Sequence, residues 1–199
     1  MRELRVLRTA RIDDLSSRAA LVFRDHAAAA GLVDVAYATV DSPIGDLLVA
    51  GTRRGLVRIS FPHEGHGDVV EELAMLLSPR VLEAPGRLDD VRRELDEYFE
   101  GTRRAFDVPI DMSLTHGFTR KVLQATSRIP FGSVSTYRDV ARRAGNDRAY
   151  RAAGNALGAN PIPIVVPCHR VLHSGGGLGG YGGGLDVKRF LLQLEHALD

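Results

Sequence analysis

A single cysteine, Cys168, in a chain of 199 residues removes two covalent routes to a stable fold, since neither an internal disulfide nor an all-cysteine metal cage can form. The chain must hold itself together by burying apolar side chains. Its 44% hydrophobic content is enough for a real core, as one sizeable domain or two small ones. No stretch approaches the length needed to span a bilayer, and Arg2, Arg5, Arg8 and Arg11 have no continuous apolar segment behind them. A secretory signal is therefore not expected, and Glu3, Asp13 and Asp14 argue against an Arg-rich transit peptide. The expectation is a cytoplasmic protein without membrane contact.

The formal net charge of +1 conceals an asymmetry. Residues 1–111 hold 15 Arg and no Lys against 20 acids, net −5, whereas residues 112–199 hold 11 basic residues against 5 acids, net +6. The basic half is the one that carries Cys168. A polyanionic partner fits such a surface, and so does an ordinary solvated face.

Patterning divides the chain into three parts. Residues 1–33 read as an extension, with an Ala-rich helix capped by Ser16 or Ser17 and ended at Gly31. Residues 34–111 read as a small antiparallel sheet with helices. Its strands are Val35–Val40 and Leu47–Ala50, joined by the turn Asp41–Gly45, and then Gly55–Phe61. Helical periodicity follows at Asp68–Leu77 and Leu88–Phe99, and Ala105–Met112 is extended. In residues 112–199 helices are expected over Thr119–Ile129, Thr136–Arg143, Arg148–Gly158 and Lys188–Leu198. The middle two, across the turn at Gly145, resemble a helix-turn-helix. The fold class is α/β in the α+β sense, with a helical, winged-helix-like second domain.

Around the cysteine the chain reads Ile164 Val165 Val166 Pro167 Cys168 His169 Arg170 Val171, with a glycine-rich loop at Gly175–Gly184 just after it. An adjacent imidazole suits an activated thiolate better than a core filler. Packing, hydrolysis and group transfer are all compatible with that setting alone.

Beyond it, the sequence resembles the O6-alkylguanine-DNA alkyltransferase family from about Val35 to Glu195. The resemblance is carried by Pro167–Val171, Asn160 Pro161, Ile129–Gly132, Thr136 Tyr137, Gly180 Tyr181, Gly183–Leu185, Lys188, Leu191 Leu192 and Glu195. Weaker agreement covers Asp41–Gly45, Gly55–Val57, Tyr98–Gly101 and Phe106–Pro109. The family moves the alkyl group of O6-alkylguanine irreversibly onto its own cysteine. The resemblance implies Cys168 as acceptor, His169 as its base through a bound water, and Glu195 as support for the imidazole, a triad with sulfur as nucleophile. Tyr137 matches the tyrosine that contacts guanine N3, and Asn160 the asparagine of the hinge before the active-site strand. Val171, Tyr181 and Gly182 fall in the alkylguanine pocket. Gly182 departs from the Ser or Ala often found there, so no side-chain hydroxyl reaches O6 at that position.

The family also implies double-stranded DNA as partner, with the damaged nucleotide flipped out from the minor groove. Arg151 matches the arginine that fills the vacated stack, with Ala152, Ala153 and Gly154 small enough for close approach. Thr119, Tyr137, Arg138, Asn146 and Ser174 fall where the family touches backbone or the flipped nucleotide. No cofactor is expected, and no metal, because residues 1–111 contain no cysteine and His63 and His66 read as loop. The protein is expected to be a monomer. The competing readings are a non-catalytic alkyltransferase-like damage-binding protein, against which the retained Cys168 tells, and a thiol hydrolase built on Cys168, His169 and Glu195.

Overall fold

The computed structural model describes residue 22 and residues 31–198. The helix expected over residues 16–30 lies outside the described residues, Val22 excepted, which is helical. Three strands form as expected: β1 (Val35–Val40), β2 (Leu47–Thr52) and β3 (Gly55–Ser60), paired antiparallel. Ser42 closes the β1–β2 turn by donating to the Gly45 carbonyl at 2.6 Å, and Gly45 supplies the positive φ of 96° that the turn requires. A fourth strand, β4 (Val81–Glu83), pairs parallel with β1, so the sheet is mixed, in the order β3-β2-β1-β4. Three residues are too few to show an alternating pattern in sequence.

Leu47, Leu48, Val49 and Ala50 are all buried, as a strand covered on both faces must be. Helix α1 (His66–Leu76) covers one face, setting Val69 and Leu73 against Val35, Leu48 and Val57. Helix α2 (Asp89–Phe99) covers the other with Val91, Leu95 and Tyr98. That second core continues without a break into the C-terminal half, through Val122, Leu123, Val140 and Leu191. Each such fully buried aliphatic side chain stabilises by about 1.5–3 kcal/mol. The segment over residues 105–112 is extended and docks on β3, with Leu56 N–H donating to the Pro109 carbonyl at 2.8 Å. Gly55 is required there, because a Cβ would run into the Pro109 carbonyl.

The second half comprises α3 (Gly117–Thr126), β5 (Ser135–Thr136), α4 (Tyr137–Arg143), α5 (Tyr150–Gly158), β6 (Val171–Leu172) and α6 (Leu185–Leu194). Strands β5 and β6 pair parallel as a two-residue ladder. Thr136 caps α4 by accepting from Asp139 N–H at 3.1 Å, a contact that contributes about 1 kcal/mol. Gly145, at φ 97°, turns the chain into α5, whose Ala153, Ala156 and Leu157 face inward.

Two expectations are corrected here. Residues 161–167 form no strand, because Pro161, Pro163 and Pro167 offer no N–H to a ladder. The run folds on itself instead, Val166 N–H donating to Ile162 O at 2.9 Å, with Ile164 at φ 73°. Helix α6 ends at Leu194 rather than near Leu198; Glu195 is its cap, and His196 leaves at φ 54°.

Candidate active site

Cys168 opens a one-turn 3-10 helix, Cys168–Arg170, that leads straight into β6. The residue is only 8% exposed, so a reactant reaches it only through an opening in the surface. Asn160 fixes the sulfur: its Nδ2 donates to Sγ at 3.1 Å and to the Val166 carbonyl at 2.8 Å, while its Oδ1 accepts from Ile162 N–H at 3.1 Å. Burial pushes the thiol's pKa up, and the Asn160 amide and the Lys188 ammonium pull it partly back. The resting state is a thiol that needs a base.

That base lies behind it. His169 is fully buried, with Nε2 2.9 Å from Glu195 Oε1. Glu195 also accepts from Arg170, Nε to Oε2 at 2.7 Å and Nη2 to Oε1 at 2.8 Å, and from the Tyr98 hydroxyl at 2.7 Å. Burial alone would raise the carboxyl pKa, but the His169 and Arg170 hydrogen bonds outweigh it and hold Glu195 at about 2. An ionised carboxylate only accepts, so His169 Nε2 carries the proton and Nδ1 keeps a lone pair. Nδ1 is buried without a hydrogen-bond partner in the protein, which makes it the site where a proton can be taken up. Burial pushes the imidazole's pKa down, and Glu195 opposes this.

In front of the thiol is a hollow of about 780 Å³. Tyr137 and Arg138 of α4, Tyr150, Arg151 and Gly154 of α5, and His173, Ser174, Tyr181 and Gly182 of the following loop line it together with Cys168. The Tyr137 ring lies beside His173, centroids 5.1 Å apart, and its hydroxyl passes so close to Gly179 that a Cβ there would strike it. Burial, then the neighbouring thiol, raises the Tyr137 pKa, so the phenol keeps its proton and can donate it. Lys188 clamps the loop from below, donating to the Val171 carbonyl at 2.7 Å and to the Leu178 carbonyl. Burial pulls this lysine down to about 8, against the effect of Cys168.

Comparison with known proteins decides what this arrangement is. A family model for the DNA binding domain of 6-O-methylguanine DNA methyltransferase matches residues 117–197, and one for its ribonuclease-like domain matches residues 35–112. The chain belongs to the 6-O-methylguanine DNA methyltransferase family. A methylated-DNA–protein-cysteine methyltransferase of Methanosarcina barkeri is 38% identical over 159 residues, 80% of this chain and 96% of that one. The crystal structure of Mycobacterium tuberculosis O6-methylguanine methyltransferase superposes with a TM-score of 0.70 at 37% identity, covering 82% of this chain and 93% of that one. Mycobacterium tuberculosis OGT in complex with DNA gives 0.69 at 36% identity, covering 81% and 93%.

Seen as a 6-O-methylguanine DNA methyltransferase, the chain gathers most of the expected residues in one place. Cys168, Tyr137, Arg138, Arg151, Gly154, Ser174, Tyr181 and Gly182 share the hollow, while Asn160, His169 and Glu195 stand behind it. Others lie apart. The Val171 side chain is fully buried, its carbonyl taken by Lys188. Thr119 lies in the first turn of α3, Ala152 is exposed on α5, and Asn146 Oδ1 accepts from Arg148 N–H at 3.2 Å in the turn. His63 stacks on Phe61 at 6.0 Å, and His66 Nε2 is 3.1 Å from the Asp46 carbonyl. Sequence reasoning assigned no role to Arg170 or Tyr98. Arg170 sat inside the Pro167–Val171 motif, and Tyr98 inside the weaker Tyr98–Gly101 match, but nothing in the sequence paired Tyr98 with Glu195, 97 positions away.

Proposed function

We infer that the protein repairs O6-alkylguanine in double-stranded DNA by moving the alkyl group onto Cys168, once per molecule. The observation that carries this is a buried thiol at the wall of a hollow of about 780 Å³, backed by an imidazole whose Nδ1 has no hydrogen-bond partner in the protein and whose Nε2 is fixed on a carboxylate. In the reaction a bond forms between Sγ and the alkyl carbon while the bond from that carbon to guanine O6 breaks. The thiol proton passes through water to His169 Nδ1, and the imidazolium is stabilised by Glu195. Guanine leaves with the bonding pair, and a hydrogen bond from the Tyr137 hydroxyl to N3 offsets its developing charge.

Arg151, at the rim of the hollow, fills the stack left by the extruded nucleotide; Arg138, Ser174 and Gly154 border the same opening. With Gly182 at the lip, backbone N–H groups rather than a hydroxyl hold the purine edge. The thiol, its imidazole, the supporting carboxylate and the phenol donor all lie within one chain, and the protein acts as a monomer in this reading. A cytoplasmic location goes with that reading.

A duplex carrying radiolabelled O6-methylguanine tests it. Label should move to protein in a single burst equal in amount to the protein, add one CH2 unit at Cys168, and be lost in Cys168→Ala. Tight binding without transfer would instead indicate a damage-binding module, and repeated turnover on an ester or amide a thiol hydrolase.

A further inference from the structure

Tyr150 has no role in the chemistry above, yet it stands at the first position of α5 on the rim of the hollow, with 40% of its surface exposed. The Arg151 guanidinium carbon lies 5.7 Å from its ring centroid and that of Arg138 lies 5.9 Å from it. Arg138 comes from α4 and Arg151 from α5, so one ring joins the two helices of the helix-turn-helix. Among the described residues neither guanidinium has a carboxylate partner.

Two like charges drawn to one place repel, and something must offset that cost. The negative face of an aromatic ring does so without neutralising either charge. A carboxylate in the same place would hold both arginines, but it would repel a phosphate and cancel the charge needed to attract one. The ring therefore orients cations that stay free for an anionic partner. We propose that Tyr150 is a positioning residue of the DNA interface, presetting Arg151 for entry into the duplex and Arg138 for a backbone phosphate. This rests on the reading of damaged DNA as substrate.

The test compares Tyr150→Ala and Tyr150→Phe in single-turnover transfer from a damaged duplex and from the free alkylated base, which requires no extrusion. Loss of two exposed cation–π contacts should slow transfer from duplex about five- to tenfold in Tyr150→Ala. Transfer from the free base should slow by a clearly smaller factor than transfer from duplex, and Tyr150→Phe, which keeps the ring, should restore the duplex rate. A 2-aminopurine beside the lesion should report less unstacking in Tyr150→Ala. No charge is removed, so the slope of log Kd against log salt should stay that of wild type, whereas Arg138→Gln should lower it by about one phosphate contact. A duplex rate within twofold of wild type overturns the proposal, as do equal slowing on both substrates and failure of Tyr150→Phe to rescue. If wild type takes label from neither substrate, the functional reading itself falls.

Discussion

Replacing Tyr98 by Phe isolates one hydrogen bond between the two halves of the molecule. The ring is fully buried and packs against Phe106 at 5.3 Å, Phe99 at 5.4 Å and Phe131 at 6.3 Å, contacts that phenylalanine keeps. What is lost is the 2.7 Å donation to an ionised carboxylate oxygen. Hydrogen bonds to charged groups contribute about 1.5–3 kcal/mol. Glu195 Oε1 keeps two other donors, His169 Nε2 and Arg170 Nη2, so the charge is not orphaned and the loss belongs near the lower end, about 2 kcal/mol. For a chain of this size that lowers Tm by about 4–8 °C. Thermal melting of wild type and Tyr98→Phe near neutral pH measures it. A second readout follows from the shared oxygen: relieved of one donor, Oε1 binds the His169 proton more strongly and the imidazole becomes more basic. The acid limb of the pH–rate profile for free-base transfer should then move to higher pH. A Tm drop below about 1 °C, with an unmoved acid limb, would refute the reasoning.

Glu195 sits at about 2 in the fold against an ordinary 4.5. Its pKa is depressed by folding, so it contributes roughly 3 kcal/mol in full above its unfolded pKa, and loses this as pH falls toward the folded one. Urea midpoints should fall steeply between pH 4.5 and 2, and a flat profile would contradict the buried cluster. Gly182→Ser meets open space, so its Tm should match wild type, while a new hydroxyl at the pocket lip should speed transfer about fivefold in the burst assay. Gly179→Ala combines a φ of 68° with a Cβ against the Tyr137 hydroxyl. It should cost at least about 1 kcal/mol in denaturant unfolding and slow transfer by displacing the phenol.

Local chemistry was legible in the sequence wherever it acts over a few residues. The Gly45 and Gly145 turns and the apolar stripe of α2 form where their patterns place them. The Pro167–Val171 motif correctly marked the thiol and its imidazole neighbour. Contacts that depend on tertiary packing were not legible. The resemblance marked Glu195, but not its surroundings: it is 1% exposed between an imidazole, a guanidinium and a phenol, the last from a residue 97 positions away. Arg170 has the composition of a surface cation, and its burial follows from the partner it finds rather than from its neighbours in sequence. Val171, which the resemblance placed in the alkylguanine pocket, is fully buried in β6 beside the equally buried Leu172.

The carboxylate that supports His169 is held in part by a tyrosine from the other half of the chain. The remaining donors to that carboxylate, from His169 and Arg170, lie in the same half as the thiol. The first half of the chain is therefore a tuning weight on the base rather than a part of it. Any loosening between the halves is felt at the acceptor as a shift in the pH at which its imidazole becomes available.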